Sequence, residues 1–247
     1  MISVRRAEER GRTKLAWLDS RHSFSFAGYH DPAHMGFGAL RVINDDRVAP
    51  GAGFETHGHR DMEIVTYVLD GALAHEDTTG VRSVIRAGEV QCMSAGTGIR
   101  HSEFNASEEE PLRFLQIWLE PEELGLEPGY EQRPFGAEEM RARLRLIASS
   151  DGREGSLRLH QDAAIHAARL EPGDHLSHTL APGRRAWLQL ARGRILLDGV
   201  DFDGVDFDGV DFGGIELGEG DGAALGALDR IELEANEGSE LLLFDLA

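Results

Sequence analysis

With 247 residues, 41% of them hydrophobic and 7% aromatic, the chain has the length and composition for one large or two medium cores. Its net charge of −19 argues against direct nucleic-acid binding and against docking on anionic membranes. A lone cysteine, Cys92, excludes an intramolecular disulfide framework and suits a reducing cytoplasm.

The first ten residues are charged and contain no apolar core of a leader, so export is not expected. The longest apolar runs, residues 64–69 and 241–244, are only strand-length, and no membrane span is expected. Short β-rich runs separated by turn residues follow at 39–44, 63–69, 81–86, 90–93 and 112–119. Cys92 falls within one of them, where a buried packing role is its default. Residues 120–130, with two Pro and two Gly, read as a linker, and 137–144 as a short helix. A second set of strands is expected at 156–160, 163–170, 187–191, 194–197 and 231–234. The spacing predicts an all-β protein of antiparallel sandwiches or barrels.

The acidic excess is concentrated at the end. Residues 196–247 hold 15 acidic side chains against one Arg, a net of −14 out of −19. Within this region, residues 200–214 are three tandem pentads of the type Val-Asp-Phe-Asp-Gly. Alternating Asp could offer oxygen ligands to calcium, but the spacing lacks the terminal Glu of a calcium loop. A tolerant, acidic hairpin loop is the better reading.

The chemistry concentrates between residues 54 and 105. His57, His59, Asp61 and Glu63 alternate with Gly58, Arg60 and Met62, so one extended strand would present all four to the same face. His101, Glu103 and Asn105 share that parity in a second run. If the two faces meet, neutral imidazoles and carboxylates can surround one divalent cation and leave positions open. A His-x-His pair alone is weak. Here it is followed by Glu63, by Gly71 and by a second glycine-led block from Gly96 to Asn105, a composite that resembles the two-part cupin motif.

The second block departs from most cupins: Ser94 stands where Pro is usual, and four residues rather than two separate Gly96 from His101. The departure itself resembles the pirin family and its bacterial quercetin 2,3-dioxygenase-like branch. Residues 6–11, 17–20, 22–26, 35–46, 61–69, 75–77, 130–133 and 243–246 are similar to that branch in order and spacing. The resemblance implies two stacked cupin domains, each a double-stranded β-helix jelly roll: a metal-binding domain over residues 1–135, and one without metal ligands over 136–247. Carried over position by position, it places the metal ligands on His57, His59, His101 and Glu103, with Glu103 also catalytic. Glu63 becomes a supporting residue or an alternative ligand.

In the second domain, counting back from Gly193 by the motif's spacing lands on Thr179, Ala181 and Arg185, and no histidine follows His178. His160, His166, His175 and His178 therefore read as surface or packing histidines. The resemblance implies a monomeric cytoplasmic dioxygenase that uses one divalent transition metal, with Fe(II) the first choice and Mn, Co, Ni, Cu or Zn as alternatives. Its partners would be O2 and a flavonol or catechol-type substrate, opened with release of carbon monoxide. The other reading is a metal-responsive regulatory binding protein without catalysis of its own.

Overall fold

The computed structural model describes residues 2–200, 214–226, 228 and 230–247. The bulk of the pentad segment, residues 201–213, lies outside the described residues. The chain divides into two compact units, one of Arg10–Phe135 with Ala148–Asp162, the other of Met1–Glu9, Gly136–Ile147 and Ala163–Ala247. One junction between the units lies at Phe135/Gly136. The first nine residues and residues 148–162 each belong to the unit on the far side of that junction.

In the first unit a seven-stranded antiparallel sheet runs in the order Gly129–Pro134, Glu89–Ser94, Glu63–Asp70, Leu112–Leu119, Leu40–Val48, Leu18–His22 and Gly11–Lys14. A four-stranded antiparallel sheet follows the order Gly53–His59, Ile99–Asn105, Ala72–Asp77 and Arg82–Arg86. Leu18, Val48, Val68, Leu112 and Phe114 of the large sheet pack with Leu73 and Ile85 of the small one. A second cluster joins Ile64 and Met93 to Ile99 in the same way. Both sheets thus face one interior, as the alternation of apolar residues requires. Strand Leu112–Leu119 matches its expected bounds.

That interior carries a polar row. In-register pairing places Gln132, Gln91, Thr66, Gln116, Asn44 and His22 side by side across the large sheet. The last five are all buried. Apolar residues alone would give a dry core. This row makes part of it polar.

The second unit repeats the plan. A large sheet includes, in order, Ile2–Arg5, Gly222–Gly226, Arg185–Arg192, Ser239–Leu246, Ala163–Leu170 and Arg145–Ser149. A four-stranded sheet runs His175–Thr179, Arg230–Ala235, Arg194–Val200, Ile215–Gly218. Between the two sheets lies a cluster that includes Leu176, Leu188, Ile195, Leu197, Leu217, Ile231, Leu241 and Leu243, and its described members are aliphatic. The only α-helix among the described residues, Ala137–Met140, is shorter than the expected eight residues. Arg141 already has extended dihedrals, φ −69° and ψ 122°, and Ala142 turns left-handed at φ 48°. Cys92 is buried, its thiol donating to the carbonyl of Arg158 at 3.3 Å, and burial pushes its pKa well up.

Candidate metal centre

Strand Ile99–Asn105 lies between Gly53–His59 and Ala72–Asp77, and its odd-numbered residues are buried while the even ones are not. On one side His101 stands opposite His57 and Ile99 opposite His59. On the other, His101 faces Asp77 and Glu103 faces His75. The register against Gly53–His59 shifts between His101 and Glu103. Such a bulge bends the strand locally and re-aims side chains, here within the motif itself.

The expected four-residue face of residues 57–63 is not one strand. The strand ends at His59, and Asp61 adopts a left-handed φ of 48°. That turn destroys the period of two, and Glu63 opens a strand of the other sheet. Asp61 instead accepts from the backbone N–H of Gly125 at 2.6 Å. Glu63 accepts from Ser94 Oγ at 2.9 Å and from the His160 backbone N–H at 3.1 Å, with His160 Nδ1 at 3.3 Å. His160 is therefore not a packing residue of the second domain but a partner of Glu63 within the first unit. Asn105 ties down the backbone around it, because its amide donates to the carbonyls of Val48, Ala49 and Glu110 and accepts from the N–H of Ser107.

His57, His59 and His101 come together. His101 Nε2 is 3.1 Å from His57 Nε2 and 3.0 Å from His59 Nε2. Burial, with His57 nearby, lowers the pKa of His59 to about 4. Burial, and then His57, His59 and His75, lower that of His101 to about 2, with Asp77 acting in the opposite sense. His57 Nδ1 donates to the carbonyl of Glu55 at 2.8 Å, which turns its Nε2 lone pair inward. Nitrogens this close repel unless something positive lies between them. Bonds of about 2.1 Å to an ion, set at right angles, bring two nitrogens about 3.0 Å apart. The donor set therefore fits a divalent metal, held by imidazole nitrogens of borderline softness.

A second cluster of potential ligands, His75, His101 and Glu103, shares His101 and is fully buried. Glu63 is in neither cluster. Glu103 Oε2 accepts from Gln116 Nε2 at 2.8 Å, while its Oε1 is buried without a hydrogen-bond partner. Thr66 Oγ1 donates to Gln116 Oε1 at 2.8 Å, which fixes the amide orientation. Burial raises the Glu103 pKa to about 7, against the Gln116 hydrogen bond and with help from Asp46. Asp46 is itself pushed up to about 7 by burial, with Asp45 adding to the effect and a Ser20 hydrogen bond opposing it.

Trp118 forms an aromatic wall beside the imidazoles. Its ring lies edge-on to His59 at 4.8 Å and to Phe26 at 5.4 Å between centroids. Sequence reasoning missed Trp118, Gln116, Thr66 and His75. The available signal was a polar residue, Gln116, between Leu115 and Ile117 in a mostly apolar strand, together with the short His75, Glu76, Asp77 run.

In the second unit His178 Nε2 is 3.0 Å from Asp245 Oδ2, and its ring packs on His166 with centroids 5.1 Å apart. His175 is exposed, 3.9 Å from Glu234. Among the described residues, neither cluster of potential metal ligands includes these histidines.

Comparison with known proteins agrees with this architecture. The family model described as Pirin matches residues 3–119, and the one described as Quercetinase C-terminal cupin domain matches residues 146–246. The quercetin 2,3-dioxygenase of Escherichia coli (strain K12) is 46% identical over 246 residues, covering 100% of this chain and 99% of the relative. The crystal structure of the bacterial pirin YhhW from Escherichia coli in complex with nickel(II) is 45% identical, with a TM-score of 0.89, covering 100% of this chain and 99% of the other. A quercetin 2,3-dioxygenase from Acinetobacter baumannii, 18% identical with a TM-score of 0.73 and covering 98% and 85% of the two chains, shares the fold. The chain is nearly all β, is built of two cupin-type domains, and belongs to the pirin family.

Proposed function

We propose that this chain is a metal-dependent dioxygenase of the quercetin 2,3-dioxygenase type, which opens a flavonol such as quercetin with O2 and releases carbon monoxide. The observation that carries this reading is the meeting of three imidazole Nε2 atoms, 3.0 and 3.1 Å apart, in an interior that also holds a buried carboxyl. His57, His59, His101 and Glu103 would hold the ion, with Fe(II) as the expected metal. When bound there, a divalent metal supplies Lewis acidity, a template for substrate and O2, and an electron relay.

The chain's own residues prepare the proton transfer. Glu103, the buried carboxylate beside the imidazoles, is the base that would take the 3-hydroxyl proton of a flavonol. Gln116 occupies Oε2 and leaves Oε1 as the unpartnered oxygen. Trp118 and Phe26 offer aromatic surface for a flat polyphenol, whose rings pack favourably edge-on or offset. Glu63, bound to Ser94 and His160, serves as a support within the first unit. In this reading residues 1–135 carry the metal chemistry and 136–247 do not, and the protein works in the cytoplasm on small molecules.

Oxygen uptake tests the reading. Metal-reconstituted protein should consume O2 and release CO when quercetin is added, and His101→Ala should abolish both. Glu103→Gln should keep part of the metal yet lose turnover, and Glu63→Gln should have the smaller effect. The reverse order would make Glu63 the functional carboxylate.

A further inference from the structure

We propose that Asp77 and His75 form a buried positioning relay that fixes the tautomer of His101, so that Nε2 is always the nitrogen His101 offers to the metal. The proposal rests on His101 being a metal ligand.

The relay follows from strand register. Asp77 stands opposite His101, and His75 opposite Glu103, so His75 is the diagonal neighbour of His101 on the same inner face. Asp77 is anchored by the loop that follows it: its Oδ1 accepts from the backbone N–H and the hydroxyl of Thr79 at 2.8 and 2.6 Å, and from the N–H of Val81 at 3.3 Å. Only Oδ2 is left for His75, whose Nε2 is 2.9 Å away. Neither side chain has any exposed surface.

The proton positions can be read in sequence. Three donors already converge on Asp77 Oδ1, as on an ionised carboxylate, so Oδ2 can only accept. His75 Nε2 therefore carries a proton. With its other nitrogen facing the His101 ring rather than a second carboxylate, the enclosed His75 ring is neutral and keeps a lone pair on Nδ1. The Nδ1 of His101 lies 3.5 Å from that lone pair. It must be the protonated nitrogen of its ring, and Nε2 is left free to face His57 and His59. Tyr130 packs on His75 at 4.9 Å and directs its hydroxyl to Ser83 and Gln132, so it orients the ring without competing for Nδ1.

Metal-bound histidines usually donate their second N–H directly to a carboxylate or carbonyl. Here a neutral imidazole is interposed. Orientation reaches His101 while the Asp77 charge stays one ring further from the ion.

Two substitutions separate this relay from mere packing. In Asp77→Asn the amide oxygen must replace Oδ1, because three donors point at it, which turns the NH2 group toward His75. That forces the His75 proton to Nδ1 and the His101 proton to Nε2, with almost no change of shape. His75→Gln preserves the relay, its carbonyl accepting from His101 and its amide donating to Asp77, whereas His75→Leu removes it. Long-range proton–nitrogen NMR of histidine-labelled, metal-free protein should show His101 protonated on Nδ1 in the parent and in His75→Gln, and on Nε2 in Asp77→Asn. Nickel(II) affinity by calorimetry should fall roughly 10- to 100-fold in Asp77→Asn and His75→Leu, and stay close to the parent's in His75→Gln.

A parent protein with His101 protonated on Nε2, or an Asp77→Asn protein with unchanged tautomer and affinity, would overturn the relay. If Asp77→Asn does not fold, the contrast between His75→Gln and His75→Leu carries the same test. A His101→Ala protein that binds nickel(II) as tightly as the parent would instead overturn the ligand reading, on which the metal-free spectra do not depend.

Discussion

His101 and His57 face each other across an antiparallel strand pair with their Nε2 atoms 3.1 Å apart, and each reaches that position by a different route. His57 is held by the carbonyl of Glu55, two residues away in its own strand. His101 is held from the neighbouring strand. The spacing of the two strands therefore sets the size of the metal site.

Gly53 controls that spacing. A Cβ at this position would lie 2.3 Å from the carbonyl oxygen of Glu103 and 2.5 Å from Cα of Phe104, both backbone atoms that cannot rotate away. Gly53→Ala should push the strands apart, cost roughly 1–3 kcal/mol of stability and weaken metal binding as well. Denaturant melts and calorimetry with nickel(II) check both effects. Lost stability with unchanged affinity would show that the site does not depend on this contact.

Metal binding should release a proton from Glu103. With a pKa of about 7 the carboxyl is mostly protonated at pH 6 and mostly ionised at pH 8, whereas His59 and His101, at about 4 and 2, are neutral at both. An ion must displace the proton to reach the carboxylate, so the contribution of Glu103 should be roughly 0.9 proton at pH 6 and 0.1 at pH 8. Calorimetry in buffers of different ionisation enthalpy measures it. The difference between the two pH values should shrink in Glu103→Gln by the share that Glu103 contributes.

Asp46 should make the metal-free protein less stable as the pH rises. Its pKa is raised from 3.8 to about 7, so the folded state holds the proton more tightly than the unfolded state. Stability from this group is fully present below pH 3.8 and is lost as the pH rises toward and through about 7. Asp46→Asn keeps the neutral form at every pH. It should be close to parental near pH 3.5 and more stable by on the order of a few kcal/mol at pH 8. Urea melts across that window test the sign. A variant that is less stable at pH 8 would show that Asp46 is held ionised.

Much of the fold could be read from the sequence because strands buried on one face advertise themselves by alternation, and short runs rich in large apolar residues, such as Leu112–Leu119, have few other uses. Gly11–Lys14 and His175–Thr179 lack that pattern and were not anticipated. The three imidazoles were legible as a motif, since His57, His59 and His101 keep their parity within their own strands. Asp61 and Glu63 were not, because parity fails wherever one residue turns left-handed, and nothing in the composition of residues 59–63 marks Asp61 as that residue. Supporting residues were hidden for another reason: Gln116 and His75 act through cross-strand neighbours, and register cannot be counted along a single chain. Residues 148–162 pack with the first unit through hydrogen bonds between distant parts of the chain, among them Glu63 and Ser94 with His160 and Cys92 with Arg158, which sequence order does not display.

The most direct test of the account is the bleaching of quercetin by metal-loaded protein in the presence and absence of oxygen. The long-wavelength absorption should disappear only with O2 present. A flavone lacking the 3-hydroxyl should be inert, because it lacks the one proton Glu103 would take and the 3-oxygen that a bound metal would hold. Bleaching that proceeds equally without oxygen, or that survives in the His57→Ala/His101→Ala protein, would contradict the assignment of dioxygenase chemistry to these residues.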